Sequence, residues 1–175
     1  MDHAISFQGF DWLLLVDAYS KFPFVQKVSS VSSHVTIKKL AEVFAIFGYP
    51  HALVSDNATS FTSDEFKQWA DVSGIVLLTG APFHPSTNGQ AERFVQSFKK
   101  SVAKGLSNLS LDEAVLEFLM AYRRTPLAGG QSPAELLLGR SIRAPIDLIL
   151  PSPIHLRQQK SCVQVQVVRT LTWFV

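Results

Sequence analysis

Three acidic residues stand out by where they fall against the apolar pattern. Asp17 closes the apolar run that begins at Phe10, Asp56 closes the short run Ala52-Leu53-Val54-Ser55, and Glu92 opens a long amphipathic stretch. Carboxylate oxygens are the donors that hard divalent cations prefer, and Mg²⁺ takes only a few of them, leaving room for phosphate oxygens. Two such ions about 4 Å apart can activate a nucleophile and stabilise a leaving oxygen in an in-line phosphoryl transfer. Three acids suffice for that chemistry, and it needs no histidine or cysteine. Taken singly, each acid also has an ordinary explanation. An aspartate past a strand often turns the chain, and a glutamate in a first helical turn complements the helix dipole.

The elements that would carry these acids can be read from periodicity. Phe10 to Val16 is short and apolar on both faces, which suits a strand covered on both sides. Phe22 to Val28 reads as a second strand, with Pro23 marking an edge or a bulge. Ile37, Leu40, Ala41, Phe44 and Phe47 fall at helical spacing, and Gly48-Tyr49-Pro50 ends that helix. Ala52 to Ser55 is a buried strand. Thr62-Ser63-Asp64-Glu65 reads as a capping box for a helix with Phe66, Trp69 and Ala70 on one face. Ile75 to Leu78 is a further strand. The breaker-rich stretch 80–90 predicts a loop before a long helix striped by Ala91, Phe94, Val95, Phe98 and Val102. Further helices fit 111–124 and 133–139. Strands first, then strands alternating with helices, predict an α/β fold: a five-stranded mixed sheet with helices on both faces.

Composition narrows the remaining classes. Apolar residues make up 47% of the 175, enough for a core and too many for a disordered chain. The net charge of +2 permits a nucleic-acid partner without demanding one. Cys162 is the single cysteine, so no internal disulfide framework is expected, and a Cys/His zinc cluster is not expected around the five histidines His3, His34, His51, His84 and His155. A bilayer-spanning helix needs roughly 20 apolar residues, and the run at Trp12–Val16 is far shorter and flanked by Asp11 and Asp17. No secretory signal is read, so the expectation is a soluble intracellular domain without a membrane partner. Pro151-Ser152-Pro153 reads as a linker, dividing a domain over 1–150 from an atypical tail over 151–175. In that tail Val163, Val165 and Val167 alternate with glutamines.

The words around the three acids bear a likeness. Val16-Asp17-Ala18-Tyr19-Ser20-Lys21, Val54-Ser55-Asp56-Asn57 with Phe61-Thr62-Ser63, and Pro82-Phe83-His84-Pro85-Ser86-Thr87-Asn88-Gly89-Gln90-Ala91-Glu92-Arg93 follow in order. Tyr122-Arg123-Arg124-Thr125-Pro126 and Ser132-Pro133-Ala134-Glu135-Leu136-Leu137 come after them. From about residue 7 to residue 153 the chain resembles the catalytic core of retroviral and LTR-retrotransposon integrases, most closely the gypsy type. Such cores carry two aspartates and a glutamate with 35 residues between the second and third, and 35 residues separate Asp56 from Glu92.

The resemblance implies a ribonuclease H-like fold, two Mg²⁺ or Mn²⁺ ions and polynucleotidyl transfer. Water cuts near the 3′ end of element DNA, and the freed 3′-hydroxyl attacks a phosphodiester of target DNA. Carried over by motif, Asp17 and Asp56 hold one ion, and Asp17 and Glu92 the other. Asn88 and Gln90 would lie against DNA beside the metals, and Arg93, Lys99 and Lys100 would contact phosphates. Lys99 shares the helix face of Glu92, because seven residues make nearly two turns. The resemblance also implies a homodimer or higher oligomer, DNA as partner and substrate, and the nucleus as location, although no import signal is seen.

The chain departs from the family pattern at three places. Ala58 stands where glycine is usual, Phe83 replaces tyrosine, and neither the N-terminal zinc module nor a C-terminal barrel or chromodomain is recognised. Two other functions therefore stand beside the integrase reading. One is a non-catalytic, domesticated or truncated relic that binds DNA or a protein partner. The other is a ribonuclease H-type nuclease, which uses the same fold and metals.

Overall fold

A computed structural model of the chain describes residues 1–79 and 89–149. Met1–Ile142 form one compact unit, and a second begins at Arg143. Of the second unit the described part is 143–149, where Pro145–Leu148 make one 3-10 turn capped by the Asp147 carboxylate on the Ala144 nitrogen. The loop over 80–88, with His84 and Phe83, and the linker and tail over 151–175 lie outside the described residues.

The first unit opens with β1 (Asp2–Phe7), β2 (Phe10–Val16) and β3 (Pro23–Val28), paired antiparallel in that order. Helix α1 (Ser33–Phe47) follows, then β4 (Ala52–Ser55), a single turn α2 (Thr59–Thr62), α3 (Asp64–Val72) and β5 (Val76–Thr79). Strands β4 and β5 run parallel. Helices α4 (Gly89–Gly105), α5 (Leu111–Arg124) and α6 (Pro133–Leu138) complete the unit.

The fold is α/β with helices on both faces, as periodicity predicts, but the expected five-stranded mixed sheet is corrected. Five strands are present in two sheets, one of three antiparallel strands and one of two parallel strands. Where β1 meets β4, the Met1 nitrogen donates to the Val54 carbonyl at 2.6 Å, without a continuous ladder. The ladder of β1 with β2 is itself irregular between Ala4 and Phe7, and Ser6 has φ 50°, which bends β1 out of a regular strand. Strand β1 and the turn α2 are absent from the periodicity reading. The cap is also corrected: the Ser63 hydroxyl accepts from the Phe66 nitrogen at 3.2 Å and starts α3, while Glu65 turns to His34 instead of reciprocating.

Strand β2 explains the layering. Side chains alternate across a strand, so Trp12 and Leu14 enter one core and Leu13 the other. Trp12 and Leu14 pack with Ala4 against Phe94, Phe98 and Val102 of α4 and Leu119 of α5. Leu13 packs with Leu53 and Ile75 against Leu40, Phe44, Phe61 and Phe66 from the helices of the other face. Burying an aromatic or branched aliphatic side chain of this size contributes about 1.5–3 kcal/mol each. This packing fixes the N-terminal end of α4 relative to β1, and the acids sit there.

Candidate active site

Asp2 enters the site from the first residue of β1. Its ladder partner is Leu14, and it shares a strand face with Ala4, which packs against α4. Asp56 leaves the end of β4, and its Oδ1 accepts from the Ala58 nitrogen at 3.2 Å in a local turn. Glu92 projects from the first turn of α4 and is exposed. Asp2 senses the charges of the other two. Burial pushes the Asp2 carboxyl above its ordinary value, and the negative charges of Asp56 and Glu92 push it further. The hydrogen bond from the His3 nitrogen, at 2.7 Å, and the Met1 ammonium act in the opposite direction without cancelling the rise.

Asp17 is placed otherwise. Its Oδ2 accepts from the Ser20 nitrogen at 2.7 Å and from the Ser20 hydroxyl at 2.6 Å. Its main chain closes the same turn, with Asp17 N donating to Phe22 O and Lys21 N to Asp17 O, both at 3.0 Å. The side chain therefore fastens the hairpin between β2 and β3, the ordinary role of an aspartate past a strand. Asp56 and Glu92 instead lie near enough to Asp2, a residue that sequence reasoning missed, for their charges to raise its carboxyl. A signal for it existed. Gln8-Gly9 lies between Ala4–Phe7 and Phe10–Trp12, a hairpin turn that implies a strand before it and puts Asp2 at the strand start.

Behind Asp2, His3 points to the other face. Its ring stacks on Phe61 with centroids 4.6 Å apart, and its Nε2 lies 3.3 Å from the Thr36 hydroxyl. Burial holds the imidazole below its ordinary value, so it is a neutral core histidine. Ala58, where glycine is usual in the resembling family, has φ −60° and ψ 145°. Any residue adopts that conformation, so the alanine brings no backbone strain.

The expected DNA-contact residues divide. Arg93 is exposed, and its Nε donates to the Gly89 carbonyl at 2.9 Å. Lys99 is half-buried, with its ammonium 6.0 Å from the centre of the Phe7 ring. It is therefore at the end of β1 opposite Asp2. Lys100 is exposed. Asn88 lies outside the described residues, and so does the Gln90 side chain, although its backbone is in α4.

The donor set suits a divalent cation in chemistry and in charge. The three carboxylates come from separate elements, and Asp2 is held against ionisation partly by its like-charged neighbours, which a bound cation would offset. Among the described residues, however, no group of three or more His, Cys, Asp or Glu side chains converges closely enough to hold a metal ion as it stands. No helix of the described residues is long and apolar enough to cross a membrane.

Comparison with known proteins gives the class. Residues 5–85 match the family described as Integrase core domain, a segment that includes Asp17 and Asp56 and excludes Asp2 and Glu92. The uncharacterised protein K02A2.6 of Caenorhabditis elegans is 39% identical over 163 residues, covering 91% of this chain and 13% of that protein. The Gag-Pol polyprotein of feline leukemia virus is 32% identical over 136 residues, or 75% of this chain and 8% of that polyprotein. The chain thus spans only a small part of the length of these relatives. Among solved structures, the catalytic core domain of BIV integrase superposes with a TM-score of 0.66 at 19% identity, covering 79% of this chain and 92% of that one. The HTLV-2 integrase catalytic core domain, solved in complex with magnesium in a trimeric form, gives 0.61 at 21% identity, covering 78% and 93%. The fold is that of integrase catalytic cores, the ribonuclease H-like α/β arrangement. The chain is a relative of the retroviral integrase cores, as its motifs imply.

Proposed function

We propose that this chain is the catalytic core of an integrase, joining the 3′ ends of a retroelement DNA to target DNA by in-line attack on a phosphodiester. The observation that carries the reading is that Asp2, at the start of β1, lies near enough to Asp56 beyond β4 and to Glu92 at the start of α4 for their charges to raise its carboxyl. In this reading Asp2 takes the part that motif spacing gave to Asp17, and Asp17 holds the neighbouring turn.

Asp2, Asp56 and Glu92 would hold Mg²⁺ or Mn²⁺, two ions in the active form. When bound, such ions supply a lowered pKa for an attacking hydroxyl and charge stabilisation for the leaving oxygen. The chain's own residues do the positioning. The packing of Phe94 and Phe98 on Trp12 and Leu14 keeps Glu92 over the start of β1. The His3 nitrogen fixes one oxygen of Asp2. Asn88, Gln90, Arg93, Lys99 and Lys100 would contact the DNA. The partners in this reading are element ends and target DNA, in a homodimer or higher oligomer, and the substrate places the protein in the nucleus.

One observation favours a second reading, a relic that binds DNA or a protein partner without catalysis: the described acids do not converge into a cation-binding group. A branched DNA that mimics an integrated end separates the two. Its resolution is the reverse of the joining step. With Mn²⁺ or Mg²⁺ the wild-type chain is expected to release the branch, and Asp2→Asn and Glu92→Gln are expected not to. No release by a folded wild-type chain that binds Mn²⁺ moves the assignment to the relic. Preferential cutting of an RNA–DNA hybrid moves it to a ribonuclease H-type nuclease.

A further inference from the structure

Beside the acids, a separate cavity of about 220 Å³ opens between the β2–β3 turn, α4 and α5. It is lined by Lys21, Arg93, Phe94, Ser97 and Tyr122. Its lining carries an ammonium, a guanidinium and two hydroxyls, and no carboxylate. Each element contributes for a local reason. Lys21 adopts φ 62°, the left-handed conformation, at the turn that Asp17 and Ser20 fasten. Arg93 and Ser97 are four residues apart on α4 and so share one helix face. Phe94 forms the apolar floor and meets the Tyr122 ring edge-on, with centroids 5.0 Å apart, which fixes the direction of the phenol. Burial raises the Tyr122 hydroxyl above its ordinary value, so it stays a protonated donor. Within the same turn the Lys21 ammonium donates to the Ala18 carbonyl, and the Asp17 carboxylate accepts two hydrogen bonds from Ser20. The next residue after Tyr122, Arg123, lies over the Phe22 ring at 4.5 Å and donates to the Pro23 carbonyl, adding a second guanidinium behind the turn.

A concave site with cations and hydroxyl donors but no acid is built for a tetrahedral anion. We propose that this cavity is a phosphate-binding pocket that takes one backbone phosphodiester of a nucleic acid, held by Lys21, Arg93, Ser97 and Tyr122. The nucleic-acid source rests on the integrase reading; the anion chemistry does not. The pocket would fix the register of a strand whose next phosphates run toward Glu92, one residue from Arg93 on the same helix. Phosphate contacts of this kind position the ligand and carry no sequence information.

The test has two arms on the full chain. In the first, inorganic phosphate is titrated while amide shifts of Lys21 and Ser97 are followed by NMR. In the second, binding of a short mixed-sequence duplex is measured against salt. Lys21→Asn, chosen because asparagine tolerates positive φ, and Tyr122→Phe, which keeps the ring packing, probe the pocket. Lys67→Gln, an exposed charge paired with Asp64 on α3, serves as the charge-matched control.

The expectation is saturable shifts in wild type that vanish in Lys21→Asn and weaken in Tyr122→Phe. The salt slope should fall by about 0.9 in Lys21→Asn, the change expected when one phosphate fewer is neutralised, and stay unchanged in Lys67→Gln. An equal fall in Lys67→Gln overturns the pocket in favour of general charge. Unchanged slopes in both pocket variants, with duplex still bound, overturn the pocket and leave the integrase reading standing. Saturable phosphate binding without any duplex binding overturns the nucleic-acid assignment and counts against that reading.

Discussion

The carboxylate of Asp17 is closed onto Ser20, which supplies it with a main-chain nitrogen at 2.7 Å and a hydroxyl at 2.6 Å. Ser20 is fully buried, so losing this acceptor leaves two donors without a partner. Removing a charged acceptor from buried donors costs about 1–3 kcal/mol. Asp17→Ala is therefore expected to lower stability by that order in urea denaturation, while keeping metal-dependent branch resolution in the folded protein. Asp2→Asn is expected to do the reverse, with branch resolution falling by about a hundredfold or more, on the order of what loss of a group stabilising the transition state costs. Loss of resolution in a well-folded Asp17→Asn protein would return Asp17 to the catalytic set.

Asp2 also gives the chain a pH signature. Its folded value is raised by burial and then by Asp56 and Glu92, so the native state binds its proton more tightly than the unfolded chain does. The stabilising contribution of the protonated group is present at acid pH. It is lost as pH rises from the ordinary aspartate value through the raised one. Asp2→Asn removes that loss. The variant should unfold at higher urea than wild type at neutral pH, with the gap closing toward acid pH. Mn²⁺ should narrow the gap at neutral pH by stabilising wild type alone.

Ala58 precedes α2 with φ −60°, so a glycine there relieves nothing. Ala58→Gly adds freedom to the unfolded chain and should lower stability by about 0.5–1 kcal/mol, read from the denaturation midpoint. A stabilised Ala58→Gly protein would mean that positive φ is preferred at this position.

Phe98 is fully buried and meets the Trp12 and Phe118 rings edge-on, at 5.4 and 5.7 Å. Phe98→Ala should cost about 3–5 kcal/mol. Because the same core holds α4 over β1, the folded fraction should also show slower branch resolution, a change that correcting for the unfolded population does not remove.

Much of this was legible in the residues. The apolar runs at Phe10–Val16 and Ala52–Ser55 gave β2 and β4, and the stripe through Phe94, Phe98 and Val102 gave α4, because each buries a continuous face. The places of Glu92 and Asp56, at a helix start and past a strand, were legible for the same reason: each stands at the end of a strongly patterned element. Strand β1 was not. Asp2-His3-Ala4-Ile5-Ser6 alternates poorly, since Ile5 is exposed and His3 is half-buried by stacking on Phe61, a tertiary contact that no local pattern carries. With β1 unseen, Asp17 was the first acid at a visible strand end and drew the role that the proposed function gives to Asp2. The split into two sheets was equally invisible, because strand pairing across β1 and β4 depends on their meeting in space and not on either sequence.

That split has a mechanical consequence. Asp2 rides on the three-stranded sheet, and Asp56 follows the two-stranded one. No ladder sets the gap between them. Leu13 from one sheet and Leu53 and Ile75 from the other share one core with Phe61, and that shared core sets it as a spacer sets the jaws of a calliper. Shaving a methylene from that core would retune the distance between two acids without touching either, and a misplacement of about 1 Å at a reacting centre can cost about a hundredfold in rate. The apolar residues behind the acids are thus part of the gauge of the site.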